Sequence, residues 1–246
     1  MGKEIAFVTG ASSGLGMQFC KTLAANGFSV VAAARRVDKL EALCESISKD
    51  GGTAIPLELD VTNISSYADK LNEAEEKLGE ITCLVNNAGV SDEKYCLKVT
   101  PDEYDHVMDV NLKGPFFLAT EVAKRWVDRK CQGRMVNISS LSAKRAMNGL
   151  VTYGMSKAAI SRMTELMAFE WAKFGINVNA IAPGIIATEI NADSIDTPGM
   201  KMMVQFMPRK RLGMPSDLDD TILYLTKPGQ RFLTGQVIYL DDAQGL

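Results

Sequence analysis

Residues 4–16 read Glu4-Ile5-Ala6-Phe7-Val8-Thr9-Gly10-Ala11-Ser12-Ser13-Gly14-Leu15-Gly16, and the order of residue types in this stretch decides the fold. Ile5-Ala6-Phe7-Val8 is a short unbroken apolar run, as in a strand buried on both faces. Gly10, Gly14 and Gly16 follow, and then a helical pattern that sets Phe19, Leu23 and Ala24 on one side. Strand, glycine loop and helix in that order predict a phosphate-binding turn. Gly10 permits the tight turn, Gly14 lets the backbone approach a pyrophosphate, and Gly16 allows close packing of helix on strand. The helix N-terminus adds unpaired N–H groups and the positive end of a dipole. The spacing is G-x-x-x-G-x-G rather than the commoner G-x-G-x-x-G, and an ordinary glycine-rich turn is the competing reading.

Outward from this unit, apolar runs and helical patterns alternate. Strand-like runs fall near 4–9, 28–34, 53–59, 81–86, 133–139, 176–182 and 236–240. Helical stretches fall near 15–26, 37–50, 63–79, 101–130, 152–174 and 215–227. Such alternation predicts a parallel sheet with helices on both faces, since each parallel crossover is helical and right-handed. The chain of 246 residues is expected to be one domain, without repeat or linker. The long irregular piece is 184–214, which carries Met200, Met202, Met203, Met207 and Met214. Its length and adaptable apolar side chains suit a lid over a substrate, with core packing by an extra helix or two as the alternative.

Two further places carry chemistry. Tyr153 stands four residues before Lys157, so on a helix the ammonium sits beside the phenol. A neighbouring positive charge favours the phenolate, which predicts a lowered Tyr153 pKa and a proton donor or acceptor near neutral pH. Ser140, thirteen residues before Tyr153, is placed to hold a substrate oxygen. A Tyr/Lys pair on a solvated helix face is the plainer reading of that spacing. The second strand ends Ala33-Ala34-Arg35-Arg36. An acidic residue near that end would accept from a ribose 2′-OH, whereas a guanidinium would pair with a 2′-phosphate. Arg35, with Arg36 as a second contact, therefore points to NADP(H). Two arginines opening a solvated helix are the alternative.

Thr9-Gly10-x-x-x-Gly14-x-Gly16, Asn86-Asn87-Ala88-Gly89, Asn111, Ser140, Tyr153-x-x-x-Lys157 and Pro183-Gly184-x-x-x-Thr188 together resemble the short-chain dehydrogenases/reductases, over essentially the whole chain. The look is that of the short single-domain branch, similar to the β-ketoacyl carrier-protein reductases. The resemblance implies an α/β fold: a single Rossmann-type doubly wound parallel sheet of about seven strands with helices on both faces. It implies hydride transfer between NADP(H) and a ketone or secondary alcohol, with Asn111, Ser140, Tyr153 and Lys157 catalytic. It places the cofactor on Gly10, Ser12, Ser13, Gly14, Leu15, Gly16, Arg35 and Arg36. Asp60 and Val61 would hold the adenine, although Asp60 reads equally well as a turn or cap residue before Thr62 and Asn63. Asn87, Ala88 and Gly89 would support the cofactor and the central sheet, while Tyr153, Lys157, Pro183, Gly184, Ile186 and Thr188 surround the nicotinamide end. Ser13 stands where some NADP-dependent relatives have a basic residue. The family bends a helix at the Asn111 position and uses that side chain in a water relay to the Lys; Pro115 also predicts an irregular helix there.

An NAD(P)-dependent sugar or hydroxysteroid dehydrogenase runs the same chemistry in the opposite direction, and a silent nucleotide sensor is the remote alternative. An acyl carrier protein or acyl thioester is a candidate partner, through basic residues beside the mouth. Here Arg129 and Lys130 end one relevant helix, but Phe174 stands where a basic residue is often found, next to Lys173. A homotetramer or homodimer is expected, built on helices near 101–130 and 152–174 and on residues 239–246. A net charge of -3 argues against a nucleic-acid surface. The five scattered cysteines read as reduced packing residues of a cytoplasmic protein, and no run of apolar residues suggests a membrane span. His106 is the only histidine, which leaves almost no material for a histidine-based metal site.

Overall fold

The computed structural model describes residues 4–246. Seven parallel strands form one sheet: β1 (Ile5–Thr9), β2 (Ser29–Ala34), β3 (Thr53–Glu58), β4 (Cys83–Asn86), β5 (Arg134–Ile138), β6 (Asn177–Pro183) and β7 (Val237–Leu240). Their spatial order is β3-β2-β1-β4-β5-β6-β7. The chain runs outward from β1 to β3, then returns to lay β4 on the other side of β1, with Val8 paired to Val85 and Thr9 to Ala33. Loops leaving β1 and β4 therefore part in opposite directions, and a crevice opens at their C-terminal ends, where open α/β sheets bind ligands. Pro56 lies within β3, an edge strand, where a missing N–H costs least.

Alternation along the buried strands builds two cores. Ile5 and Phe7 of β1, with Val31, Leu84, Met135 and Val178, face α3 (Tyr67–Leu78), α5 (Gly114–Asp128) and α6 (Val151–Trp171). Ala6 and Val8, with Val30, Ala32, Val85 and Ile181, face α1 (Gly14–Ala25), α2 (Val37–Lys49) and α9 (Asp219–Thr226). Each face is apolar because each is covered, so these strands lack the polar alternation of a half-exposed sheet. Trp126 is fully buried, and its indole N–H donates to the Ile81 carbonyl at 2.6 Å.

Two stretches take forms that the sequence reading had named, an irregular helix before Pro115 and extra helices within 184–214. The helix expected over 101–130 is broken into α4 (Pro101–Met108), a π-helical turn (Asp109–Lys113) and α5. Pro115 has no N–H for the preceding turn, and Gly114 packs so closely that a Cβ there would lie 2.3 Å from the Val61 carbonyl oxygen. The piece 184–214 is not a loop throughout, since it contains α7 (Ala192–Ile195) and α8 (Pro198–Phe206). Among the described residues no helix is long and apolar enough to cross a membrane.

Candidate active site

The glycine loop joins β1 to α1. Gly10 has φ +66°, and a Cβ there would meet the Ala88 Cα at 2.8 Å. Gly16 lies against that turn, where a Cβ would come within 2.3 Å of the Gly10 carbonyl oxygen. Asn87 locks the loop to the end of β4: its Nδ2 donates to the Thr9 carbonyl at 2.9 Å, while the Thr9 hydroxyl accepts from the backbone N–H groups of Asn87 and Ala88, each at 3.0 Å. Asn87 and Ala88 thus hold two adjacent strand ends in register.

A cavity of about 860 Å³ runs from this loop across the crevice. Every predicted site residue lines it except Gly16, which packs helix on strand, and Asn111, which lies beneath the wall. At one end stand Ser12, Ser13, Arg35 and Arg36; at the other stand Ser140, Tyr153 and Lys157. Asp60 has the turn geometry that Thr62 and Asn63 suggested. It lines the wall, and its carboxylate accepts from the Thr62 N–H and hydroxyl at 2.9 and 2.8 Å, bonds that lower its pKa, the N–H most strongly.

Tyr153 and Lys157 lie near the N-terminus of α6 and point the same way, with Lys157 Nζ 5.6 Å from the centre of the Tyr153 ring. Ser140 follows β5, hydrogen-bonds the Tyr153 phenol, and its hydroxyl also accepts from the Ser142 N–H at 3.1 Å. Burial pushes the Tyr153 phenol above 10, and the Ser140 hydrogen bond only partly opposes it. The expectation that Lys157 lowers the phenol is therefore not met here. Lys157 is itself 4% exposed, and burial pulls it from 10.5 down to about 8. Its ammonium donates to the Ile138 carbonyl at 2.8 Å, a neutral partner that offsets desolvation less than a carboxylate would.

Asn111 sits at the centre of the π turn and is fully buried. Its Oδ1 accepts from the Val90 N–H at 2.8 Å, and its Nδ2 donates to the Val90 carbonyl at 2.9 Å and to Ser156 Oγ at 3.0 Å. Ser156 in turn donates to the Tyr153 carbonyl at 2.7 Å, so Asn111 ties the strand end after Gly89 to the helix that carries the phenol. A Cβ on Gly89 would lie 3.3 Å from Asn111 Oδ1 and 3.4 Å from Lys157 Nζ, which places amide and ammonium on one small surface. A phenol, a hydroxyl and an ammonium so arranged can hold an oxygen and exchange a proton with it.

Arg36, expected as a second phosphate contact, is already paired within the protein. Its Nη1 and Nη2 donate to Glu189 at 3.0 and 2.7 Å, and its Nε and Nη2 reach Ser12 Oγ at 3.1 and 3.0 Å. Arg35 makes no hydrogen bond or ion pair among the described residues, although it lines the same wall. Sequence reasoning missed Ser156, Glu189 and Arg145. Ser156 had a signal, a hydroxyl directly before Lys157, but Glu189 lies 153 residues from Arg36 and only tertiary structure brings the two together. Arg145 lines the far end of the cavity and donates to the Gln244 carbonyl.

Sheet order, glycine loop and the Ser140/Tyr153/Lys157 cluster define the class as an open α/β oxidoreductase. The family model for short chain dehydrogenases matches residues 4–199. A 3-oxoacyl-[acyl-carrier-protein] reductase of Synechocystis sp. is 33% identical over 97% of this chain and 95% of its own length. A 2-dehydro-3-deoxy-D-gluconate 5-dehydrogenase of Formosa agariphila is 31% identical over 97% of this chain and 91% of its own length. In structure, the gluconate 5-dehydrogenase of Burkholderia cenocepacia in complex with NADP and tartrate superposes with a TM-score of 0.92, at 28% identity over 98% of this chain and 95% of that one. This chain belongs to the short chain dehydrogenase family, oxidoreductases acting on alcohols and ketones.

Proposed function

We propose that this chain is an NADPH-dependent reductase that converts a ketone or β-keto carbonyl to a secondary alcohol, reversibly. The observation that carries the reading is one cavity with Ser140, Tyr153 and Lys157 at one end and the glycine loop with Arg35 at the other. The fit to a phosphorylated dinucleotide rests on the backbone cradle at Gly10 and Gly14 and on Arg35 at the second strand end, which makes no ion pair among the described residues. The NADP complex of the Burkholderia relative supports the same choice. When bound, the cofactor supplies the hydride.

The protein's own residues then act as follows. Tyr153 donates a proton to the carbonyl oxygen, and its raised pKa keeps it protonated for that task. Ser140 donates a hydrogen bond to the same oxygen as negative charge develops, an interaction stronger in the transition state than in the ground state. Lys157 would hold the nicotinamide ribose, and Asn111 and Ser156 fix the strand end and helix so that phenol and ammonium converge. Pro183, Gly184, Ile186 and Thr188 would flank the nicotinamide, and segment 184–214 would close over the substrate as a lid.

A sugar-acid substrate is the second reading. Arg145 brings to the substrate end a cation that has no carboxylate partner among the described residues, and two of the relatives above are named for sugar acids. The carrier-protein version has less support. Arg129 is held by both oxygens of Glu75 at 2.6 and 2.7 Å, and Lys173 lies over the Phe174 ring at 5.0 Å. A homodimer or homotetramer would cover Phe116, Phe117, Leu166 and Phe169, apolar side chains exposed on α5 and α6.

The test is oxidation of NADPH by the purified protein against an acetoacetyl thioester, a keto sugar acid and a cyclic ketone. Turnover of any of these supports the reading and ranks the substrate classes. Tight NADPH binding with no turnover across the panel would favour the silent-sensor alternative.

A further inference from the structure

Glu189 follows Thr188 and reaches the cavity wall from the segment opposite α2. Its carboxylate accepts from Arg36 Nη1 and Nη2 at 3.0 and 2.7 Å and from Lys39 Nζ at 2.9 Å. The Ser13 hydroxyl also bonds it, and with the Arg36 bonds foremost these contacts hold the carboxyl far below the usual carboxylate range. Arg36 is fastened from below as well, through Ser12 Oγ and through Ser13 Oγ at 2.9 Å. Two hydroxyls, a planar guanidinium and an ammonium converging on one point are the donor set of a phosphate monoester site. In this chain that set already contains an anion, contributed by the protein itself.

We propose that Glu189 is a built-in competitor for the 2′-phosphate and that its pairing with Arg36 sets how strongly this protein discriminates phosphorylated from unphosphorylated dinucleotides. The inference rests on the dinucleotide reading of the preceding section. A cofactor with a bare 2′-hydroxyl leaves the Glu189–Arg36–Lys39 contacts intact. A 2′-phosphate takes Arg35 directly, but it gains Arg36 only by displacing the carboxylate or by sharing the guanidinium beside a like charge. Selectivity for the phosphate is therefore held below what two arginines and two serines would otherwise give. Opening of the segment that begins at Thr188 becomes linked to phosphate binding in the same exchange.

The test compares wild type with Glu189→Gln, which keeps the size and removes the charge. Affinities for adenosine 2′,5′-bisphosphate and adenosine 5′-monophosphate are measured by calorimetry, and those for NADPH and NADH by fluorescence. The expected result is tighter binding of the bisphosphate and of NADPH by about tenfold, the scale of one screened like-charge contact removed, with the monophosphate and NADH little changed. Glu189→Asp, which keeps the charge on a shorter stem, should fall between wild type and the Gln variant. Equal shifts for the phosphorylated and unphosphorylated partners, or weaker NADPH binding by Glu189→Gln, would overturn the proposal. If wild type binds neither NADPH nor NADH, the dinucleotide reading itself fails. If both bind and the variant leaves their ratio unmoved, only the role given to Glu189 fails.

Discussion

Replacing Lys157 by Met should make the cofactor-free protein more stable at neutral pH. Lys157 is 4% exposed, and its pKa falls from 10.5 to about 8 because burial disfavours the charge. A displacement of that size corresponds to about 3 kcal/mol of cost to the folded state when the group is charged. Met removes the charge at similar volume but leaves the Ile138 carbonyl without its 2.8 Å donor, a loss of about 1–2 kcal/mol. The net gain at pH 7 is then about 1–2 kcal/mol, or a rise in Tm of about 3–5 °C for a chain of this length. The pH dependence follows from the same values. Below about pH 8 both states hold the proton, and the wild type bears the full burial cost. Between about 8 and 10.5 the folded state releases the proton while the unfolded state keeps it, so wild-type stability rises with pH and the advantage of the variant shrinks. By about pH 9.5 roughly 2 kcal/mol of the difference should be gone. Urea unfolding of both proteins across pH 7–9.5 measures it, and other titrating groups cancel in the comparison. A variant less stable than wild type at pH 7, or a gap that does not narrow with pH, would refute this account of Lys157.

Other substitutions test separate parts of the site. Ser140→Ala should lower kcat about 100-fold, and it should move the alkaline rise of alcohol oxidation to higher pH, because the hydrogen bond that restrains the Tyr153 pKa is gone. Gly16→Ala would drive a Cβ to within 2.3 Å of the Gly10 carbonyl oxygen, so thermal unfolding should show a loss of about 1–3 kcal/mol together with weakened NADPH binding. Arg35→Ala should weaken NADPH about 30-fold while changing NADH by less than threefold, as read by fluorescence titration.

Much of this architecture was legible in the sequence, for identifiable reasons. The unbroken run Ile5–Val8 and its counterparts in β2, β4 and β5 read as strands because both faces of the sheet are covered. The tight turn of the glycine loop was legible because Gly10 adopts a left-handed φ that other residues rarely take. The break at Asp109–Lys113 was half legible, through Pro115, but the contact of Gly114 with Val61 that accompanies it is tertiary. Thr197-Pro198 is a helix-start signal for α8, and the Thr197 hydroxyl does cap that helix at 3.3 Å, in line with the extra helices named as the alternative to an irregular lid. The direction of the Tyr153 shift was beyond the sequence. Spacing shows that Lys157 is near, but only packing shows that burial raises the phenol, with the Ser140 hydrogen bond opposing it. Glu189 escaped notice for the same reason, since a single acid after Thr188 says nothing about Arg36 until the segment folds back.

The central claim is that Tyr153 transfers the proton in an NADPH-dependent reduction. Its most direct test is Tyr153→Phe, assayed for NADPH oxidation with whichever ketone the wild type turns over and titrated in parallel for NADPH affinity. The account predicts turnover reduced by about a thousandfold or more, with NADPH affinity within about threefold of wild type because the phenol hydroxyl is the only group removed. A variant that turns over at the wild-type rate would contradict it.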